Sequence, residues 1–224
     1  MGATGSFPVD LVLLGMVAAF LVLRLRGILG KRTGFERPPM PPQAAQAASA
    51  TRSPIIESRA EPSSPSKTAV VPDPSSPTGQ VLAAMRGIDR NFDPVGFLAG
   101  AEQAFRMIVA AFAKGDRTTL RTLLSDDTYA AFEQAIAGRE SAGQTQFSNI
   151  EAIESMAIDA ASLRGSIADV TVRIVSDQIS LTRDNTGAIV VGAEAVTELT
   201  DLWTFERDLR QSDPTWRLVA ARSA

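Results

Sequence analysis

The sequence predicts an α+β domain in which helices pack on a curved antiparallel sheet, preceded by an N-terminal transmembrane helix. An uncharged apolar run fills residues 11–23, and apolar residues recur at three- and four-residue spacing between residues 93 and 136. After Gly143 the spacing changes to every second residue, which is typical of strands. Helical spacing followed by strand alternation indicates helices that cover one face of a sheet meander.

The N-terminal run LVLLGMVAAFLVL and its apolar flanks predict a transmembrane anchor over residues 7–29. A membrane-spanning helix needs about twenty mostly apolar residues, so Asp10 and Arg24 would lie near the two interfaces. A cleaved signal peptide has basic residues before its apolar core, whereas no Lys or Arg precedes this one. A helix buried in a soluble core is the other alternative, but a Pro-rich stretch separates the run from the folded domain.

Basic residues gather on one side of the anchor, which fixes its predicted orientation. Because they all follow the apolar run, the positive-inside rule places the C-terminal domain in the cytoplasm. The side chains predicted to lie at the membrane surface are Arg24, Arg26, Lys31, Arg32, Arg86 and Arg90.

Residues 30–79 predict a disordered tether, since ten prolines fall between residues 38 and 78 among Ala, Ser and Gln. PxxP spacings occur by chance in any proline-rich stretch, so a spacer is favoured over a partner-binding motif. Residues 80–91 predict a short amphipathic helix with Leu82 and Met85 on its apolar face. Two alternatives remain open for this helix: it lies on the domain, or it contacts the membrane or a partner.

Local signals divide the domain, residues 92–224, into helices and strands. Asp93 followed by Pro94 predicts the start of a long helix, and Gly115 predicts its end. Asp116 and Asp126 predict the caps of two shorter helices. Strands are predicted at residues 146–160, 168–181, 195–209 and 215–220.

The alternation of the second strand changes phase after residue 174, where even-numbered apolar positions give way to odd-numbered ones. Such a change predicts a β-bulge, which lets a sheet curl.

Charge and composition exclude several function classes. Residues 1–86 hold nine Lys/Arg and five Asp/Glu, whereas residues 87–224 hold thirteen and twenty, a net charge of −7. An acidic domain does not attract the phosphate backbone, so nucleic acid is not an expected partner. The chain has no Cys and no His, which excludes disulfides, thiol nucleophiles, imidazole bases and the usual zinc sites. No catalytic residue, metal ligand or cofactor is predicted.

Two carboxylates are candidate buried polar residues. Strand alternation places Asp201 on the same face as Trp203, so its carboxylate is predicted to be partly buried and to need a partner. Arg173 and Arg139 are both candidates for that partner. Asp177 is similarly placed in the preceding strand. A structural role is favoured over a catalytic one for both carboxylates.

Three segments resemble the C-terminal domain of the mitochondrial inner-membrane translocase subunit Tim44 and its bacterial relatives. They are FDPVGFLAGAEQAFRMIVAAFAKGD, LRTLLSDDTYAAFEQAI and VTELTDLWTFERDL with DPTWRLVA, within residues 90–222. The resemblance implies a cone-like fold of the nuclear-transport-factor-two kind, in which a curved sheet and helices enclose an apolar pocket. The candidates to line that pocket are Phe105, Tyr129, Phe132, Trp203 and Phe205, but the resemblance does not give its exact lining. For each of them an ordinary place in the hydrophobic core is the favoured alternative.

The resemblance also implies a function. The mitochondrial protein is a non-enzymatic adaptor that recruits a chaperone to the import channel and contacts lipid. We therefore expect a single-pass adaptor of the bacterial inner membrane, whose partners are membrane lipid and a translocase, chaperone or membrane protein. The alternatives are a small-molecule binding protein or enzyme that uses a pocket Asp, and a scaffold that self-associates.

Overall fold

The computed structural model describes residues 68–224, which form four helices and a five-stranded sheet. The helices are α1 (Pro77–Ile88), α2 (Pro94–Lys114), α3 (Arg117–Leu123) and α4 (Asp126–Ser141). The strands are β1 (Thr68–Val70), β2 (Thr145–Arg164), β3 (Ile167–Arg183), β4 (Ile189–Asp208) and β5 (Arg217–Ser223). The predicted anchor, residues 7–29, and most of the predicted tether lie outside the described residues.

The sheet order β1-β2-β3-β4-β5 confirms the predicted α+β class with helices packed on a sheet meander. Strands β2 to β5 pair antiparallel, as expected from their short connections. Strand β1 pairs parallel with β2, with Thr68 opposite Ser155, so the sheet is mixed and the purely antiparallel prediction is wrong at this edge. Three residues among prolines are too few for an alternation to show in the sequence.

The domain also begins earlier than predicted, because residues 68–79 hold β1 and the first turn of α1 rather than the end of a tether. The Ser76 hydroxyl accepts a hydrogen bond from the Gly79 N–H at 3.0 Å and caps the helix. Pro77 occupies the first helical position, where its missing N–H costs nothing. Pro77 starts a helix, but in the sequence it is indistinguishable from the prolines of the spacer that precede it.

Helix α1 lies on the domain, the first of the two alternatives for this segment. Leu82 and Met85 are buried in the hydrophobic core, and only Ile88 at the end of the apolar face is exposed. Arg86 and Arg90 are exposed. The apolar face is therefore occupied by the core and is not available to a membrane.

Helix α2 has the predicted bounds and caps. The Asp93 carboxylate accepts a hydrogen bond from the Gly96 N–H at 2.8 Å, and the helix ends at Gly115 with φ +71°. Within residues 68–224, α2 is the one helix long and apolar enough to cross a membrane. Its apolar stripe, which includes Phe105 and Ile108, packs in the core instead.

The cap of helix α4 is Ser125, one residue before the predicted cap Asp126. The Ser125 hydroxyl, rather than Asp126, accepts a hydrogen bond from the Thr128 N–H at 3.3 Å. The Thr128 hydroxyl donates to the Val219 carbonyl at 3.0 Å, which ties α4 to β5. Asp116 caps α3 as predicted, with the Thr119 N–H 3.1 Å from its carboxylate.

The predicted bulge within β3 is wrong, because the burial alternation of this strand continues through residue 178. Ser176 and Gln178 follow Ile174 on the inner face and are both buried. Their polarity favours an exposed position, but burial is possible because the Gln178 side-chain amide donates to the Ser176 hydroxyl at 2.8 Å. The register shifts lie instead in β2, in the parts of β4 opposite residues 178–180 and 182–183, and in β5.

Candidate functional site

A cavity of about 300 Å³, here called the mouth cavity, lies at one end of the domain. It is enclosed by the C-terminal ends of α2 and α4, the start of β2, the end of β3 and the first half of β4. Such a volume lies at the lower end of small-molecule sites. Its described lining residues are Phe112, Ala135, Gly138, Arg139, Gln144, Gln146, Gln178, Ser180, Thr182, Val191, Gly192, Ala193, Thr197 and Leu199.

The mouth cavity combines neutral polar groups with a single cation. Three glutamine amides and three hydroxyls share its wall with apolar side chains such as Phe112 and Leu199. Arg139 is the one charged residue among the described residues that line it. A cation without a carboxylate among the described lining residues stands out on a domain whose net charge is −7.

The Arg139 guanidinium is held at the wall by neutral acceptors. It donates to the Gln146 side-chain oxygen, and its Nη2 donates to the Phe112 and Ala113 carbonyls at 2.8 and 3.3 Å. Burial lowers the pKa of Arg139, while the neighbouring Glu140 carboxylate acts in the opposite direction. Glu140 itself pairs with Arg117 at 2.9 Å, so its charge is already compensated.

A second, much smaller cavity of about 20 Å³ lies deeper and shares Phe112 and Gln146 with the mouth cavity. This inner cavity is also lined by Ser148 and Trp203. The Ser148 hydroxyl and the Trp203 indole N–H are buried and have no hydrogen-bond partner among the described residues. Buried donors without acceptors cost free energy, and a space of this size accommodates one water molecule.

A third depression, the aromatic groove, runs between α2 and the start of β5 and has a volume of about 430 Å³. The Trp216 ring lies 4.8 Å from Phe97 and 5.7 Å from Phe92, and Met107 is 49% exposed at its rim. Its described lining residues are Asn91, Phe92, Asp93, Gly96, Phe97, Gly100, Ala101, Gln103, Ala104, Met107, Leu123, Phe205, Arg207, Pro214 and Trp216.

Gly100 lies in the middle of α2 and lines the aromatic groove. A Cβ atom added to it would meet nothing within 4 Å. A glycine inside a helix costs about 0.5–1 kcal/mol relative to alanine. The packing of the described domain therefore does not require this glycine, whereas it opens the groove to a close approach from outside.

The five aromatic residues predicted to line a pocket mostly belong to the core. Phe105, Phe132, Trp203 and Phe205 are buried in the core cluster, and none of them lines the mouth cavity. Phe132 and Trp203 reach the inner cavity, and Phe205 reaches the aromatic groove. Tyr129 is half-buried, with the Arg121 guanidinium 3.8 Å from its ring centre.

The polar residues of the mouth cavity are not among the predicted site residues, because a polar residue in a strand normally faces solvent. Gln146 pairs with Thr182 and Ser148 with Ser180, so polar side chains face each other on the inner side of the sheet. Gln178, Ser180 and Thr182 share the even-numbered spacing of Val172 and Ile174 and line the cavity. Polar side chains at this spacing do not by themselves distinguish an inner from an outer face, so the sequence alone contains no decisive signal.

The two predicted carboxylates lie on opposite faces of the sheet. Asp201 is 5% exposed, and the Ser223 hydroxyl lies 3.5 Å from its carboxylate. Asp177 is partly exposed on the outer face. Of the candidate partners, Arg173 pairs with Asp159 at 2.9 Å, and Arg139 lies at the mouth cavity. Neither carboxylate lines the mouth cavity.

The family model of the Tim44-like domain matches residues 78–223, from α1 to β5. The chain belongs to the Tim44-like domain family. Tim44-like domains are associated with membrane and protein interactions, so membership indicates a function of that general kind. No curated protein matches the chain.

Three solved structures are similar to this Tim44-like protein over part of its length. The intermembrane-space region of chloroplast protein ARC6 is 12% identical, with 63% of this chain and 95% of that chain covered and a TM-score of 0.41. An NTF2-like family protein from Streptomyces avermitilis is 14% identical, with 55% and 92% covered and a TM-score of 0.33. A conserved protein from Planctomyces limnophilus is 16% identical, with 55% and 90% covered and a TM-score of 0.28.

Proposed function

We propose that this Tim44-like protein is a non-enzymatic adaptor of the bacterial inner membrane. An N-terminal anchor holds the domain at the cytoplasmic face, where it binds a protein that takes part in translocation or membrane-protein assembly. The aromatic groove carries this proposal. It is open, its wall contains Trp216 and Met107, and Gly100 leaves room for close approach. Trp216 is half-buried and Met107 is exposed, and accessible aromatic and methionine side chains are typical of protein interfaces.

Charge favours a protein over a lipid surface as the occupant of this groove. The domain has a net charge of −7 over residues 87–224, and the cytoplasmic leaflet is anionic. The two surfaces repel each other at short range. The occupant that fits is an apolar segment of a partner protein with basic residues on its flanks, while the anchor provides the lipid contact.

The enzyme alternative receives no support from the carboxylates that were its candidates. A general base must lie within hydrogen-bond reach of its substrate. Asp177 and Asp201 lie outside the mouth cavity, on opposite faces of the sheet. The binding-protein alternative is favoured by the mouth cavity itself.

Photo-crosslinking from the groove tests the adaptor proposal. A photo-reactive amino acid at position 107 of the full-length protein in its own membranes should give a protein adduct. The exposed position 134 on α4, away from the groove, should not. Gly100→Leu fills the groove and should lower the adduct yield about tenfold, which corresponds to a loss of 1.4 kcal/mol in binding.

Gly87→Leu is the matched control, because Gly87 is also helical and its Cβ would also meet nothing within 4 Å. This variant should keep the adduct. Adducts to lipid alone, or equal yields in the two leucine variants, would show that the groove does not bind a protein partner.

A further inference from the structure

We infer that the mouth cavity binds a small carboxylic acid with a short apolar chain, its carboxylate at Arg139 and its chain along the apolar wall. This site is separate from the aromatic groove, and the inference does not depend on the adaptor function. It rests on four observations: the charge of the mouth cavity, the N–H groups of Arg139 that make no contact with the described residues, the buried donors of the inner cavity, and the volume of the mouth cavity.

The charge of the cavity selects a monoanion. Arg139 is its single ionised group among the described lining residues, and no carboxylate among the described residues lies within 4.0 Å of it. Bringing one negative charge to this guanidinium neutralises a partly desolvated cation. A dianion would leave one charge uncompensated in a cavity whose other polar groups are neutral amides and hydroxyls.

Arg139 keeps hydrogen-bonding capacity for such a ligand. Its contacts to Gln146, Phe112 and Ala113 use one N–H of Nη1 and those of Nη2. A guanidinium has five N–H groups. The N–H of Nε and the second N–H of Nη1 make none of these contacts, so they can donate to a ligand. The bonds that exist fix the orientation of the group, which lowers the entropic cost of binding.

The inner cavity, which adjoins the mouth cavity, adds two hydrogen-bond donors. The Trp203 indole N–H and the Ser148 hydroxyl are buried without a partner and lie behind Phe112 and Gln146. A water molecule there would accept from these donors and present its own hydrogens toward the mouth cavity. That arrangement again provides donors, not acceptors, for the polar end of a ligand.

Size and wall chemistry restrict the rest of the molecule. A cavity of about 300 Å³ holds a short chain rather than a diacyl lipid. Ala135, Val191 and Leu199 provide apolar contact for that chain. The ligand class is therefore a short aliphatic monocarboxylate.

Bromine quenching of Trp203 tests this site in the full-length protein in detergent micelles. The chain has two tryptophans, so Trp216→Phe leaves Trp203 as the single reporter. We expect 6-bromohexanoate to quench its fluorescence saturably and hexanoate to compete. The uncharged 6-bromohexanol, which has the same chain, should not reproduce this quenching at equal concentration.

Three variants in that background give the decisive comparison. Arg139→Gln should weaken 6-bromohexanoate binding at least tenfold, the effect of losing one charge-assisted hydrogen bond. Arg121→Gln removes the same charge from an exposed site and should leave binding unchanged. Ala135→Leu fills the cavity on α4, keeps the cation and should abolish saturable quenching, which tests the site even if Arg139→Gln fails to fold.

Equal quenching by the acid and the alcohol would overturn the inference. So would equal half-saturation in Arg139→Gln and Arg121→Gln, or unchanged binding in Ala135→Leu.

Discussion

Replacing Phe105 by alanine should destabilise the folded domain by about 3–5 kcal/mol, the usual cost of removing a buried aromatic ring. The residue has no exposed surface, and its ring meets the edge of Trp203 at 4.7 Å between centroids. Alanine would leave a cavity between α2 and β4 that these rigid elements cannot close. Urea unfolding of the full-length protein in micelles measures the change.

Phe147→Ala is the control for this prediction, because Phe147 is 52% exposed on β2. We expect it to change the free energy of unfolding by less than about 1 kcal/mol. If Phe105→Ala cost no more than this control, Phe105 would line an open pocket rather than belong to the core.

The ion pair between Arg207 and Asp89 should also contribute strongly to stability. Arg207 Nη2 lies 3.0 Å from the Asp89 carboxylate, and their side chains are only 13% and 12% exposed. Arg207→Met would leave a desolvated carboxylate without its partner, at a cost of about 3 kcal/mol. Because Asp89 directly follows α1, the variant should also loosen that helix, which hydrogen exchange of residues 82–88 would show.

The matched control is Arg121→Met, since Arg121 pairs with Asp126 at 3.6 Å and both side chains are exposed. Surface pairs contribute at most about 1 kcal/mol. The double variant Asp89→Asn, Arg207→Met should recover part of the loss because no charge remains buried. A loss as small as that of the control would mean that α1 is not held to the sheet by this pair.

The helices of this protein could be predicted because their signals are local. Asp93, Pro94 and Gly115 mark both ends of α2 within a few residues of each end, and the structure confirms them. The apolar stripe between these caps likewise predicts which face is buried. Such signals depend on neighbours along the chain and not on the tertiary fold.

The mouth cavity could not be predicted, because it depends on which strand faces turn inward. Gln178 and Ser180 look exposed in isolation, and only their pairing with Ile150 and Ser148 shows that they face inward. Strand β1 could not be predicted for a different reason: its three residues pair with a strand that lies almost ninety positions later in the sequence. Long-range partners leave no trace in local spacing.

Protease accessibility tests most directly the claim that this is an anchored adaptor with its domain on the cytoplasmic side. The full-length protein, with a C-terminal epitope, should stay in the membrane pellet after a carbonate wash. In intact spheroplasts the epitope should resist added protease, and it should be cut once the inner membrane is opened. Recovery in the soluble fraction, or cleavage in intact spheroplasts, would contradict the proposed function.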